Sequence, residues 1–112
     1  MKLIQVVIKP FKLDDVKRAL AEIGVAGLTT TEIRGTGRAE GRAETYRGAA
    51  FASEFLPMVK LEIAVPDDQV AAVIEVVTEA VRAESMGDAK LFVVPLSSVV
   101  RIRTGERGDG AI

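Results

Sequence analysis

Leu3-Ile4-Gln5-Val6-Val7-Ile8, then Lys9-Pro10, then Leu13-Asp14-Asp15-Val16-Lys17-Arg18-Ala19-Leu20, is the stretch on which the fold turns. Its first six residues are mostly Val, Ile and Leu, which suit a pleated, buried surface, and Pro10 closes the run. A different period follows. Leu13, Val16, Leu20 and Ile23 recur at spacings of three and four, which lines one side of a helix, with Asp14, Asp15, Lys17, Arg18 and Glu22 on the other. Asp14 and Asp15 fall in its first turn, where carboxylates suit the exposed N–H groups and the positive end of the helix dipole. Gly24 and Gly27 bracket the exit.

Outward from this start the pattern repeats. Residues 28–33, with Thr29, Thr30, Thr31 and Ile33, are mostly β-branched and read as a second strand, and residues 59–65 alternate as a third. Pro66-Asp67-Asp68 opens a second helix with an apolar stripe of Val70, Val73, Ile74, Val77 and Val81, and residues 91–94 form a last core strand. Residues 99–103 read as a short additional strand, and the Gly-rich end from 105 to 110 as frayed. The order is that of a ferredoxin-like α+β domain, βαββαβ, with a four-stranded antiparallel sheet and both helices on one face. A single domain over residues 1–112 is expected. Both alternations of the first strand carry apolar residues, so the face without helices exposes hydrophobic surface, and self-association is expected.

Between Gly35 and Pro57 periodicity vanishes, and about twenty residues of connection inside a small domain require a reason. Residues 37–55 are expected to form a mobile, partner-gripping loop. Counted from Arg34, the stretch carries Arg34, Arg38, Arg42 and Arg47 against Glu40, Glu44 and Glu54, a slight basic excess, and Tyr46, the only tyrosine, sits beside Arg47-Gly48.

Composition narrows the function. The 112 residues contain no Cys, His or Trp, which removes thiolate chemistry, His-based triads and the usual zinc ligands. With 4% aromatic residues and a net charge of −1, the chain has little for stacking bases or attracting a nucleic acid or an anionic bilayer. The opening apolar run is too short to cross a membrane, and a cytoplasmic protein is expected. A binding module is favoured over an enzyme.

Two motifs carry charge that needs a ligand or a bland explanation. In Ser85-Met86-Gly87-Asp88-Ala89-Lys90 a glycine turn beside a lysine can aim N–H groups and an ammonium at phosphate oxygens, although such a turn is more often ordinary. In Arg101-Ile102-Arg103-Thr104-Gly105-Glu106-Arg107-Gly108 an extended backbone places Arg101 and Arg103 on one face, where guanidiniums suit phosphate or carboxylate. The plain alternative is a charged edge strand that discourages edge-to-edge pairing.

Lys9-Pro10-Phe11-Lys12-Leu13-Asp14-Asp15-Val16, Tyr46-Arg47-Gly48-Ala49, Phe55-Leu56-Pro57, Gly87-Asp88-Ala89-Lys90 and the 101–108 stretch together resemble the PII signal-transduction family, over the whole chain. The resemblance implies a non-catalytic, homotrimeric regulator with ATP or ADP, and conceivably AMP, in clefts between subunits. It implies Gly87, Asp88, Ala89 and Lys90 as the phosphate turn, with Arg101 and Arg103 reaching in from the adjacent subunit. Gly35, Thr36, Gly37 and Arg38 resemble the loop base that lines the nucleotide, and Val7, Thr29, Glu62 and Ala64 occupy the positions around adenine. It further implies Arg42, Tyr46, Arg47, Gly48 and Phe51 as partner-binding, the partner being a membrane transporter or metabolic enzyme.

The departures from the family pattern are pointed. Ala39 stands where a glutamine usually binds Mg²⁺ and orients 2-oxoglutarate, so participation of Mg²⁺ is left open, and Met58 replaces a lysine that pairs with that metabolite. Phe51 replaces a tyrosine that receives a nucleotidyl group, and Ala49 a phosphorylated serine. Ala83, Glu84 and Ala89 replace a threonine and two glycines of the phosphate turn. A divergent paralogue is expected, with the nucleotide cleft retained and the 2-oxoglutarate response lost. Of the competing readings, an RNA-binding module of the same topology needs aromatics on its central strands and finds only Phe92. An acyl-phosphate hydrolase wants Arg and Asn, and the chain has no Asn; a metal-handling trimer would rely on carboxylates alone, and a trimer binding another small metabolite stays an alternative.

Overall fold

Alternation along the first strand decides which side of the sheet is packed. In β1 (Lys2–Ile8) Ile4, Val6 and Ile8 are buried, whereas Leu3, Gln5 and Val7 are half-buried on the opposite face. The computed structural model describes residues 1–36, 45–46, 49–50, 55–82 and 89–112, with backbone alone at 45–46 and 49–50. After β1 come α1 (Leu13–Glu22), β2 (Thr29–Gly35), β3 (Thr45–Tyr46), β4 (Ala49–Ala50), β5 (Leu56–Val65), α2 (Val70–Arg82) and β6 (Leu91–Pro95). Short 3₁₀ turns at Pro10–Lys12 and Asp67–Gln69 lead into the two helices, the first set by the fixed φ of Pro10.

The main sheet runs β2-β5-β1-β6 with every neighbouring pair antiparallel, which is the ferredoxin-like arrangement read from the sequence. Its packed face presents Ile4, Val6, Ile8, Val59, Leu61, Ile63 and Val65 to Val16 and Leu20 of α1 and Val73, Val77 and Val81 of α2. Each fully buried Leu, Ile or Val contributes roughly 1.5–3 kcal/mol relative to exposure, so these two layers form the core. Asp14 and Asp15 occupy the first turn of α1 as expected. The turn opening α2 is tied to the first strand: the N-terminal ammonium and Lys2 Nζ lie 2.7 and 2.9 Å from Asp67 Oδ1. These two donors, the ammonium first, hold the Asp67 carboxyl down to about 2.

Four readings of the sequence are corrected. First, β5 begins at Leu56 rather than residue 59, because Leu56, Pro57 and Met58 pair with Gly35, Arg34 and Ile33 beyond the end of β1. Second, within the stretch read as a bare loop, Thr45 pairs with Ala50 and Tyr46 with Ala49 as a two-stranded ribbon. Third, Ile74 is 37% exposed, and Val76 and Ala80 pack against the core in its place, since the buried line of α2 runs through Val73, Val77 and Val81. Fourth, the end of the chain is folded. Residues 102–104 turn, Val100 bridges Arg107, Gly108 donates to the Val99 carbonyl at 3.0 Å, and Gly108–Ala111 forms a 3₁₀ turn.

Candidate functional site

Residues directly opposite in an antiparallel pair share a face, so the register fixes what lies together on the side away from the helices. One row across the four strands reads Thr29, Glu62, Gln5 and Phe92. The next reads Thr31, Lys60 and Val7, and on the other side lie Ala64, Leu3 and Val94. Thr29, Glu62, Ala64 and Val7, which the sequence reading grouped, therefore occupy adjacent rows of one sheet face. The polar row is bonded internally: Gln5 Nε2 donates to Glu62 Oε2 at 3.0 Å. Phe92 at 52% and Val94 at 39% exposure leave this face open and partly apolar.

At the edge of that face the chain delivers cations. Lys90 immediately precedes β6 and, continuing the register beyond the Val6–Leu91 pair, stands level with Val7. Gly35 ends β2 opposite Leu56, with Thr36 exposed just beyond. A Cβ added to Gly35 would lie 3.5 Å from Met58 Cγ, an ordinary contact, so Met58 packs over the root of the loop. Ala89 and Lys90 are both exposed.

Arg101 and Arg103 sit on a closed turn and not on a strand. Arg101 N–H donates to the Glu106 carbonyl at 2.9 Å, and Gly105 N–H donates to the Arg101 carbonyl at 2.8 Å. Thr104 Oγ1 donates to Glu106 Oε1 at 3.1 Å and accepts from Glu106 N–H at 3.3 Å. Gly105 has φ +75°, a left-handed conformation that lets the chain close so tightly and that residues with a Cβ resist. The expectation of two guanidiniums side by side by strand alternation is thereby replaced by two on a rigid loop, with Ile102 at its tip 96% exposed. The Arg101 guanidinium reaches the carbonyl of Ile112 at 3.4 Å. Among the described residues, neither Lys90 nor Arg103 makes an ion pair or a side-chain hydrogen bond. With no ion pair among the described residues, these two cations can take an anion.

Of the remaining candidates, Gly37, Arg38, Gly87, Asp88, Arg42, Arg47, Gly48 and Phe51 lie outside the described residues, and for Tyr46 only the backbone is described. Sequence reasoning passed over Gln5. The signal was there, since it is the one polar residue between Leu3 and Ile8 and falls on the same face as Glu62.

Comparison with known proteins bears on the whole chain. The family model "Nitrogen regulatory protein P-II" matches residues 1–106. The chain is 52% identical to nitrogen regulatory protein GlnK of Escherichia coli K12, over all 112 residues and the full length of both proteins. It is 50% identical to nitrogen regulatory protein P-II of Cereibacter sphaeroides and 51% identical to nitrogen regulatory protein P-II 1 of Escherichia coli K12, again with complete coverage of both chains.

Proposed function

Because the chain belongs to the nitrogen regulatory protein P-II family, and is thus a non-catalytic signalling regulator that acts on target proteins, we propose that it works by binding ATP or ADP at clefts between the subunits of a homotrimer. The observation that carries this reading is a pair of cations, Lys90 beside the open sheet face and Arg103 on its closed turn, that have no partner among the described residues. A polyphosphate supplies what they lack, and each charge-assisted bond contributes roughly 1.5–3 kcal/mol. Arg101 completes the set, and Thr29 and Glu62 lie on the sheet where a base would rest.

The same face supports the trimer. Leu3, Val7, Phe92 and Val94 form an apolar surface that a small domain gains by covering, and on this reading two further copies cover it, with the Arg101–Arg103 turn of one subunit meeting the Lys90 edge of the next. Nucleotide occupancy is then relayed to a target, a membrane transporter or metabolic enzyme, through residues 37–55. No helix among the described residues is long and apolar enough to cross a membrane.

The second-messenger arm differs from the family pattern. Ala39 has no side-chain oxygen for Mg²⁺, and Met58, packed at the loop root, offers no charge to a dicarboxylate. Phe51 has no hydroxyl to accept a nucleotidyl group. The chain therefore reports nucleotide state with the 2-oxoglutarate response lost. Isothermal titration with AMP, ADP and ATP, each with and without Mg²⁺, tests the reading: micromolar ATP or ADP binding supports it, and no heat with any of the three overturns it.

A further inference from the structure

Gln5 and Glu62 sit opposite one another in the β1–β5 register, both half-buried, joined by the 3.0 Å bond from Nε2 to Oε2. Their row is flanked by rows holding Leu3 and Ala64 on one side and Val7, Lys60 and Thr31 on the other, with the Phe92 ring next in line. A carboxylate and an amide among such neighbours are costly unless their bonding capacity is met, and more so once the face is covered. Gln5 meets part of the demand of Glu62. It also restrains it.

Building on the nucleotide reading above, we infer that Gln5 is a positioning residue that sets the choice of purine. An unrestrained carboxylate presents two oxygens side by side, which match the adjacent N1–H and N2–H donors of guanine. Adenine offers a single amine donor on its corresponding edge, beside an acceptor nitrogen. By bonding Oε2, Gln5 occupies one lone pair of that oxygen and fixes the rotation of the group, so that Oε1 is the less encumbered acceptor that Glu62 turns to a base. Thr29, opposite Glu62 on β2, places a hydroxyl at the same level that can either donate or accept, and therefore fits the mixed edge of adenine. The selectivity is thus written in the pair, and removing the amide converts a one-oxygen reader into a two-oxygen reader.

The test titrates ATP and GTP, at the same salt and magnesium concentrations, into the full chain and into its Gln5→Leu, Gln5→Met and Lys90→Ala variants. Leu and Met fill the volume of the amide on a partly apolar face, so the two variants check each other for folding, followed by thermal melts. The unaltered chain is expected to prefer ATP. In both Gln5 variants the ATP:GTP affinity ratio falls at least tenfold, whereas Lys90→Ala lowers both affinities and leaves the ratio in place. ATP binding with an unmoved ratio in the Gln5 variants overturns the inference while leaving the nucleotide reading intact. Equal losses for both nucleotides with a lowered melting temperature overturn it too, since they reduce Gln5 to a fold-supporting role. An unaltered chain that binds neither nucleotide defeats the nucleotide reading, and the inference falls with it.

Discussion

Lys2 Nζ lies 2.9 Å from Asp67 Oδ1 across 65 residues of sequence, pinning the start of β1 to the turn that opens α2. The N-terminal ammonium shares the same oxygen at 2.7 Å. Both partners favour the ionised carboxylate, and its pKa falls from 3.8 to about 2.

That shift fixes the sign of a pH effect. A carboxylate with a depressed folded pKa adds stability above its unfolded pKa and loses it as pH falls through the folded value. Asp67→Asn is therefore expected to be modestly less stable than the parent above pH about 4, with the difference shrinking towards pH 2. Thermal melts of both proteins at pH 6, 4, 3 and 2 check this, and added salt should shrink the difference at pH 6, because the pair is exposed.

Leu20 is fully buried where α1 meets the sheet. Leu20→Ala should cost about 2–5 kcal/mol, the sum of lost transfer energy and a residual cavity. Urea denaturation at fixed protein concentration measures it. A loss below 1 kcal/mol would mean that the two layers close over the gap.

Lys90→Ala and Arg103→Ala should each weaken ATP about tenfold or more, or about 1.4 kcal/mol. Gly105→Ala should weaken it several-fold while moving the urea midpoint little. Its added Cβ meets nothing within 4 Å, so the penalty is backbone strain alone, and it falls on the turn that carries Arg101 and Arg103. Unchanged affinity in all three variants would place the nucleotide elsewhere.

The open face should assemble three copies. Light scattering at micromolar concentration is expected to give three times the 12.0 kDa chain mass, and Val94→Glu, which puts a charge beside Leu3, should yield monomers. A monomeric parent would contradict the intersubunit cleft as well.

With ATP and Mg²⁺ bound, 2-oxoglutarate should bind at least a hundredfold more weakly than at a charge-paired, metal-bridged site, a difference of about 2.7 kcal/mol. Micromolar, Mg²⁺-dependent binding in a titration would show that another residue does what Ala39 and Met58 do not.

The sequence disclosed most of the frame because β5 and the helices carry strong single-period patterns, and Leu61, Leu20 and Val77 all land where those periods put them, whereas β1 is apolar on both alternations and only the fold shows that Ile4, Val6 and Ile8 are its packed side. It misplaced Ile74, since a stripe of five apolar residues does not say which edge of the helix reaches the sheet. Arg101 and Arg103 were misread because alternation cannot see the left-handed Gly105 and the carbonyl bonds that close the turn. The start of β5 was set too late, since Leu56-Pro57-Met58 lacks alternation and is held by pairing to β2, a contact distant in sequence. Gln5 acquires meaning only once β1 and β5 are laid side by side.

The unequal lengths of the strands have a mechanical consequence. β5 is ten residues long, and only residues 59–62 are bonded on both sides: residues 56–58 hold β2 alone, and residues 63–65 hold β1 alone. A pull on the chain beyond Gly35 or Leu56 therefore unzips a single ladder, and meets a double one at Val59. The sheet behaves like a hinge with a stop, able to yield at its outer end while the inner rows stay in register. Strain entering from that end would be taken up by the single ladder before it reached the doubly bonded rows 59–62.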